Sequence, residues 1–492
     1  MLKLAIERES DVPLYRQLAN QLRKLIRTGS LPPGARLPPV REVAAELGLT
    51  RLTVHSAYAE LQAQGLTEAV VGRGTFVAAD ARTSPRGMVV SAIPPPTPWL
   101  SQGLLAELTP AADAGNLLSL SSAHPAAETF PVRELGRAIQ ETVADPMLLG
   151  YGPVAGEMAL REQIATLLLE RGIVTPPEHV LITAGAQQGI DLAIRSLTTS
   201  GDVVVVEEPT YPGALEVAAQ RRQPVVGVPF DEDGLSIDAL AAICQRYHPR
   251  LLYMVSTFHN PTGFTLGSGR RRDLLRLADE HDFLLVEDDT YGFLGLRGDA
   301  SIPLKAHDEE HRVIYITSFS KMVSPSLRLG AIVASPRYLP GLAAAKQGSD
   351  LVCSSLLQRA LATYLRQGAL PPHLERVRAI YRQREEALDT SLRRFAPACT
   401  WTRPAGGLNL WVTLPDGVEE ADVYREALAQ GVTVARGQMF YPQPQRVGHL
   451  RLSFGTLTPG QIVDAVAILG EVIQRQQGRR MWLRGQTARP LG

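Results

Sequence analysis

Lys321 is the residue whose type and surroundings best suit covalent chemistry. It follows the apolar run 313–316 and lies in Ser318-Phe319-Ser320-Lys321. A lysine amine just past a buried strand could form a Schiff base with an aldehyde, and it needs a phosphate-binding neighbourhood if that aldehyde is pyridoxal phosphate. Hydroxyls and a guanidinium, which suit a phosphate dianion, stand nearby at Ser318, Ser320 and Arg328. Taken alone, a lysine in such a sequence is more often a surface residue.

Other motifs supply the remaining groups that this cofactor would need. The carboxylate of Asp288 ends an apolar run and could keep a proton on the pyridine nitrogen. Asn260, in an Asn-Pro-Thr-Gly turn, could donate to the phenolate oxygen, and Tyr211 could stack on the ring. Ala186 and Gln187 open a predicted helix, so their N–H groups could face the phosphate. Each has a structural alternative as a turn, a helix cap or a core residue, but their occurrence together favours a cofactor site.

The elements that would position these residues form an alternating pattern. From about residue 115 onward, helical stretches alternate with short β-rich runs at 203–206, 251–255, 284–286 and 313–316. Such alternation predicts an α/β domain with a mostly parallel sheet between helices, in which ligands bind beyond the strand ends. The polar motifs lie at those ends.

The first 78 residues have a different pattern, that of a small helical module. Three helical patterns end at Gly29, Gly48 and Gly65, and Thr50 is placed to cap the third helix. Gly48 and Leu49 alone separate the second and third helices, which is the spacing of a helix-turn-helix. Residues 66–77 then predict a two-stranded hairpin, or wing, with a cationic tip.

Several polar side chains of this module fall where helix-turn-helix docking would place them against a DNA duplex. Arginine can pair with phosphate or guanine, and hydroxyls can hold phosphate oxygens. The candidate DNA-binding residues are Arg41, Arg51, Thr53, His55, Ser56 and Arg73. Residues 1–78 contain ten Lys/Arg and seven Asp/Glu, an excess of the sign that a polyanion attracts. Any one of the six could equally be a solvated surface residue, and it is their joint placement that favours DNA.

Length and composition agree with separate folding units joined by a linker. A chain of 492 residues is too long for one hydrophobic core, and 45% hydrophobic residues with a formal net charge of +0 indicate an ordinary globular protein. The prolines of Ser84-Pro85-Arg86-Gly87 and Pro94-Pro95-Pro96-Thr97-Pro98 predict a semi-rigid spacer. We therefore expect a DNA-binding module at 1–78, a linker at 79–114, the main domain with a small C-terminal subdomain at 115–476, and a basic frayed tail at 477–492.

The sequence offers no pattern for a metal site, a disulfide framework or a membrane span. Its three cysteines lie far apart and lack the spacing of metal ligands: Cys244, Cys353 and Cys399. No apolar run reaches the roughly 18 residues that cross a bilayer, and no signal-peptide pattern opens the chain. The cytoplasm is the expected location.

Residues 8–78 resemble the GntR family of winged-helix regulators. The motifs that carry the resemblance are Pro13-Leu14-Tyr15-Arg16-Gln17-Leu18, Pro33-Gly34-Ala35-Arg36-Leu37-Pro38, Arg41, Arg51-Leu52-Thr53-Val54 and Gly72-Arg73-Gly74-Thr75-Phe76-Val77. Pro39 departs from the family pattern, because the family usually has a serine there that caps the second helix. The resemblance implies a winged helix-turn-helix that binds double-stranded DNA.

Residues 115–475 resemble the fold-type I aminotransferases, which use pyridoxal 5'-phosphate. The resemblance implies that Lys321 forms the Schiff base, that Asp288 pairs with the ring nitrogen, and that Asn260 and Tyr291 bond the phenolate oxygen. The implied phosphate-binding set includes a tyrosine that reaches the other subunit of a homodimer: Ala186, Gln187, Ser318, Ser320, Arg328 and Tyr151. Arg451 is similar to the arginine that binds an amino acid's α-carboxylate bidentately. The alternative interpretation is an arginine on the surface of a strand.

A GntR-like module joined to an aminotransferase-like domain is the arrangement of the MocR/GabR subfamily of regulators. The resemblance implies a dimeric transcription regulator that binds promoter repeats and senses pyridoxal phosphate or an amine or amino-acid effector. The alternative is a working aminotransferase (transaminase) that carries a DNA-binding appendage, because the catalytic residues are intact and at least a half-reaction with some amine is expected. A third hypothesis, an inert dimerisation scaffold, predicts a colourless protein.

Overall fold

The computed structural model describes residues 6, 13–27, 31–32, 34–63, 66–70, 74–78, 117–298, 301–443 and 448–487. The chain divides into two units, one centred on residues 1–90 and one that contains most of residues 91–492. The predicted linker at 79–114 lies outside the described residues, as do Gly29 and Gly65. No described helix combines the length and the apolar character that crossing a membrane requires.

The N-terminal unit has the predicted order of three helices and a hairpin. Its described elements are α1 Leu14–Arg27, α2 Val40–Leu47, α3 Arg51–Ala63, β1 Thr67–Val70 and β2 Gly74–Val77. The two strands pair antiparallel, from Thr67 opposite Val77 to Val70 opposite Gly74. The apolar faces of all three helices meet in one core, which includes Leu18, Leu22, Val43, Val54 and Leu61. This is a winged helix-turn-helix, and that part of the predicted fold class is confirmed.

Local capping sets the turn between α2 and α3. Gly48 ends α2 in the left-handed conformation at φ 61°, and its N–H donates to the carbonyl oxygen of Ala44. Thr50 Oγ1 accepts a hydrogen bond from the backbone N–H of Thr53 at 3.1 Å, which caps α3 as predicted. Helix α2 begins after Pro39 without a side-chain cap. The start of the helix that carries Arg41 therefore lacks the hydrogen bond that a serine would supply.

The second unit alternates helices and strands, as its sequence pattern predicts. Through the last strand of its large sheet, the elements are β3 Leu118–Ser119, α4 Val132–Val143, α5 Met158–Leu169, β4 Val180–Thr183, α6 Ala186–Leu197, β5 Val204–Glu208, α7 Pro212–Gln220, β6 Val225–Asp231, β7 Gly234–Leu235, α8 Ile237–Tyr247, β8 Leu251–Met254, α9 Ser268–His281, β9 Leu284–Asp288, β10 Val313–Ser318 and β11 Gly330–Val333. The central strands are buried along nearly their whole length. This burial explains why they appear in the sequence as continuous apolar runs.

The large sheet has eight strands in the order β4-β11-β10-β9-β8-β5-β6-β7. Strands β10, β9, β8, β5 and β6 run parallel to one another. Strand β11 is antiparallel to both of its neighbours, and β7 is antiparallel to β6. The carboxyl ends of the parallel strands meet at one edge of the sheet, which brings the segments after β5, β8, β9 and β10 together.

The remaining elements include a second, smaller sheet, which is antiparallel. They are α10 Leu339–Asp350, α11 Ser355–Arg366, α12 Leu370–Phe395, β12 Thr400–Trp401, β13 Asn409–Thr413, α13 Glu420–Ala429, β14 Val432–Thr433, β15 Ala435–Arg436, β16 His449–Ser453 and α14 Pro459–Thr487. The sheet order is β12-β13-β16-β15.

The C-terminal helix α14 is longer than the sequence pattern indicates. A frayed tail is predicted from residue 477, whereas α14 continues to Thr487. Gln476 Nε2 and Arg479 Nη1 both donate to Glu426 Oε1, at 2.7 and 2.6 Å. These bonds to α13 hold the helix where the composition alone indicated a solvated basic end.

Candidate functional site

Lys321 lies three residues beyond β10, at the carboxyl edge of the large sheet. Its Nζ donates to the carbonyl oxygen of Ala123, in the segment after β3, at 2.9 Å. Asp288 ends β9, where it pairs in parallel register with Ile316 of β10. The carboxylate and the amine predicted to hold opposite ends of a cofactor ring therefore lie at the end of one strand and just beyond the end of its parallel neighbour.

The carboxylate of Asp288 is buried and held on both oxygens. Oδ1 accepts from Thr290 Oγ1 at 2.5 Å and from its backbone N–H at 3.0 Å, and Oδ2 accepts from the Tyr253 hydroxyl at 3.0 Å. Burial raises the pKa of Asp288, and these hydrogen bonds lower it in part. Burial and the adjacent carboxylate hold the pKa of Tyr253 well above its usual range, so the tyrosine stays a donor. A buried, oriented carboxylate is suited to a cationic N–H partner.

The N-terminus of α6 and a guanidinium converge on one place. Gly185 precedes α6 with φ +85°, and a β-carbon there would lie 3.3 Å from Arg328 Nη2. The same Nη2 donates to the carbonyl oxygen of Ala184 at 2.8 Å. Ser318 Oγ accepts from the backbone N–H of Ser320 at 3.2 Å. A helix N-terminus, an arginine and a serine pair form the donor set that a phosphate needs.

Gln187 and Tyr211 lie side by side beside that helix start. A β-carbon on Gly213 would stand 2.4 Å from a ring carbon of Tyr211 and 2.4 Å from Gln187 Oε1. Gln187 Nε2 donates to the carbonyl oxygen of Gly213 at 2.9 Å. Within the described part of the chain, the buried Oε1 of Gln187 makes no hydrogen bond. The absence of a Gly213 side chain thus leaves room for the aromatic ring at this edge.

Arg451 is fully buried in β16, so it is not a strand-surface arginine. Its Nη1 donates to Asn260 Oδ1 at 3.2 Å, and its Nη2 donates to the carbonyl oxygen of Ser121. Because Asn260 Oδ1 accepts from Arg451, its amide nitrogen remains as the donor for a phenolate oxygen. The structure therefore brings together the residues predicted to hold the effector's carboxylate and the cofactor ring.

The two remaining predicted tyrosines have opposite environments. Tyr291 is buried in the turn after β9, and a β-carbon on Gly407 would lie 3.8 Å from its ring. Tyr151 is 89% exposed. A residue that contacts a second subunit is expected to be exposed in the single chain.

Sequence reasoning missed the buried polar residues that bond to the acids at the end of β9. Of the three consecutive acids that follow the apolar part of β9, only Asp288 bonds to Tyr253. Glu287 pairs with Arg271 at 3.4 Å, and Asp289 pairs with Arg171 at 3.1 Å. Alternation along a strand explains this division, because neighbouring side chains point to opposite faces. Tyr253 had one sequence signal, a hydroxyl within an otherwise apolar strand.

In the N-terminal unit, α2 and α3 present most of the predicted DNA-binding residues. Arg41, Arg51 and His55 are exposed, and Thr53 and Ser56 are half-buried. Arg73 lies outside the described residues. Leu52, 75% exposed on α3, was not predicted. Its apolar side chain, off the buried face of the helix, is suited to contact a thymine methyl group.

Two family models match this chain. The model of aminotransferase class I and II matches residues 116–469, and that of bacterial regulatory proteins of the gntR family matches residues 14–77. "Probable rhizopine catabolism regulatory protein MocR" of Rhizobium meliloti is 31% identical over 453 residues, which cover 90% of each chain. The chain belongs to the MocR-type regulators. The HTH-type transcriptional regulator YisV of Bacillus subtilis is 30% identical to it, over 95% of this chain and 97% of its own.

A solved aminotransferase has the same fold as the second unit of this MocR-type regulator. LysN, the α-aminoadipate aminotransferase of Thermus thermophilus, was crystallised with N-(5'-phosphopyridoxyl)-L-leucine. It superposes with a TM-score of 0.70 and 33% identity, covering 77% of this chain and 97% of its own. The predicted fold class, a fold-type I aminotransferase-like domain behind a winged helix-turn-helix, is thereby confirmed.

Proposed function

We propose that this MocR-type regulator binds pyridoxal phosphate in its aminotransferase-like unit and senses an amine or amino acid there, which controls promoter binding by the winged helix. The observation that carries the proposal is the placement of Asp288 at the end of β9 and of Lys321 three residues beyond β10, the adjacent parallel strand. Arg451, bonded to Asn260, adds a buried cation for a ligand's carboxylate.

The side chains at this edge fit the cofactor group by group. Lys321 would hold the aldehyde and Asp288 the ring-nitrogen proton, while Tyr211 would stack on the ring. Asn260 and Tyr291 would donate to the phenolate oxygen. The phosphate would be held by Ala186, Gln187, Ser318, Ser320, Arg328 and the Tyr151 of a second subunit. When bound, pyridoxal phosphate supplies an electron-withdrawing ring that stabilises negative charge on the attached amino acid.

Regulation requires a dimer with at least two arrangements, of which DNA and the effector each favour one. We propose a homodimer on promoter repeats, with DNA contacts from Arg41, Arg51, Thr53, His55, Ser56 and Arg73. An effector alters DNA affinity only if it binds two such arrangements unequally. Turnover as a transaminase is the second candidate function, favoured by the intact set of Lys321, Asp288 and Arg451 in a fold shared with LysN.

The cofactor half of the proposal is tested by reductive trapping. Purified protein is incubated with pyridoxal phosphate and reduced with borohydride, and its peptides are analysed by mass spectrometry. We expect the phosphopyridoxyl label on Lys321, and none in a Lys321→Arg variant. Labelling elsewhere with equal yield, or no label at Lys321, would overturn the proposal. Adding amino acids before reduction and measuring the oxo-acid released separates one half-reaction from continuous turnover.

The DNA half is tested by salt-dependent binding to the protein's own upstream region. Arg51→Ala should weaken binding and reduce the slope of log affinity against log salt by about one if it contacts a phosphate. Arg41→Ala is the second test variant, and Arg137→Ala, a change on α4 of the other unit, is the matched control. DNA binding indifferent to both test variants would favour the enzyme reading over the regulator.

A further inference from the structure

Asn409, the first residue of β13, has an amide that the fold leaves unused. The residue is 1% exposed, and within the described part of the chain neither its Oδ1 nor its Nδ2 makes a hydrogen bond. Buried amide atoms are nearly always hydrogen-bonded, because leaving them unbonded costs folding free energy. A side chain that is retained in this state fits a position at which a ligand supplies the missing bonds.

The register of the small sheet places this amide on the same face as the carboxylate-binding candidate. Asn409 pairs with Ser453, and Trp411 pairs with Arg451. Directly opposed residues of antiparallel strands share a face, and alternate residues of one strand also share it. The intervening Leu410 and Leu452 belong to the hydrophobic core on the other face. Asn409 and Arg451 are therefore diagonal neighbours on the polar face of the sheet.

The backbone of Asn409 also lies against the turn that contains Asn260. A β-carbon on Gly263 would approach the carbonyl oxygen of Asn409 to 2.9 Å. Asn260 in turn accepts from Arg451 Nη1 at 3.2 Å. The sheet register and this backbone approach together place Asn409 beside the Asn260–Arg451 pair.

We propose that Asn409 is a binding residue for the carboxylate of an α-amino-acid effector, with its Nδ2 donating to the carboxylate that Arg451 holds. A carboxylate has about four acceptor positions and a bidentate arginine occupies two, so a further donor is accommodated. The inference rests on the proposed sensing function and adds to it a ligand class. The site would select amino acids over simple amines.

Effector titrations test this assignment. Protein loaded with pyridoxal phosphate is titrated with the common L-amino acids and with the amines that they yield on decarboxylation, and its visible absorption is recorded. Asn409→Leu, which keeps the size but removes both polar atoms, should weaken amino-acid binding by about tenfold or more, as expected for a lost bond to a charged group. Asn409→Asp should weaken it further, because two carboxylates repel. Binding of the amines should change little in Asn409→Leu.

A stability measurement separates a ligand-binding role from a structural one. Without cofactor or effector, Asn409→Leu should melt at the same temperature as the unaltered protein or above it, because the change removes unbonded buried polar atoms. A lower melting temperature, unchanged amino-acid affinity, or an equal loss for amines and amino acids would overturn the assignment. If the unaltered loaded protein shows no spectral response to any amino acid, the sensing function itself fails, and this is known before any variant is made.

Discussion

At the scale of single residues, the buried carboxylate of Asp288 is held by hydrogen bonds on both of its oxygens. Its partners come from its own turn, Thr290, and from the neighbouring strand, Tyr253. The sequence could predict Asp288, because an acid at the end of an apolar strand is a local signal. It could not predict Tyr253, because that contact depends on β8 and β9 being adjacent. Asn409 was missed for the same reason: only the register with β16 shows which residues it faces.

Replacing Asp288 tests whether its charge, rather than its shape, holds the cofactor. Asp288→Asn keeps the size but removes the negative partner of a protonated ring nitrogen. We expect the dissociation constant of pyridoxal phosphate to rise about 10- to 100-fold, in line with a hydrogen bond to a charged group. Cofactor titration followed by visible absorption measures this. Tyr253→Phe, which leaves the charge in place, should cause a smaller loss, and equal affinity for Asp288→Asn and the unaltered protein would contradict the assignment.

His373 is a buried residue that should make stability depend on pH. Its Nε2 lies 2.8 Å from the carbonyl oxygen of Met322, and Arg376 Nη2 lies 3.3 Å from its Nδ1. Since arginine only donates, the ring is neutral with its proton on Nε2. Burial lowers the pKa of His373 below the ordinary 6.5, the Met322 bond raises it in part, and Arg376 lowers it. Below that ordinary value, the unfolded chain binds the proton more readily than the folded one.

The folded state should therefore lose stability as the pH falls from about 7 through 6.5 toward the lowered pKa of His373. His373→Gln keeps a donor at the Nε2 position and removes the titration. We expect its melting temperature to fall less between pH 7 and pH 5 than that of the unaltered protein. Parallel melting curves for both proteins over this range would show that His373 does not titrate differently in the two states.

At the scale of elements, four central strands of the large sheet were predictable, and the antiparallel direction of β11 was not. Apolar runs identified β5, β8, β9 and β10, because strands buried on both faces are continuously apolar. Strand β11 lies between β4 and β10 and is antiparallel to both. The connection between β10 and β11 is residues 319–329, which contain Lys321 and only one short 3-10 turn, Pro325–Leu327. A parallel return needs a crossover of a dozen or more residues, usually a helix, so the chain reverses instead.

The helix-turn-helix offers an element-scale test in the cap of α3. Thr50→Ala removes the hydrogen bond to the N–H of Thr53, which should cost about 1 kcal/mol of helix stability. We expect faster hydrogen exchange at the first-turn amides of α3 in the full-length protein, and weaker DNA binding as a consequence. Thr50→Ser, which retains the hydroxyl, is the control and should behave almost as the unaltered protein does. Unchanged exchange in Thr50→Ala would mean that the cap does not stabilise this helix.

At the scale of the whole molecule, the two units could be predicted from different sequence signals. The winged helix was predictable from the spacing of three short helical patterns, and the larger unit from alternating strands and helices with polar motifs at the strand ends. The family matches at 14–77 and 116–469 cover these same two parts of the chain. The coupling that we propose between them would be a property of two states of a dimer. No local pattern of residues specifies it, because it depends on the difference in free energy between those states.

Thermodynamic linkage gives this coupling a strict test. If an amino acid changes the dissociation constant for promoter DNA by some factor, bound DNA must change the dissociation constant of that amino acid by the same factor. We expect the two factors to agree when one is measured by DNA binding at saturating effector and the other by visible absorption at saturating DNA. Arg51→Ala, assayed without DNA, should leave the affinity for the amino acid unchanged, because Arg51 is proposed to contact only DNA. If the two factors differ, the amino acid acts on DNA binding from a second site. If neither dissociation constant changes, the sensing unit and the winged helix are not coupled.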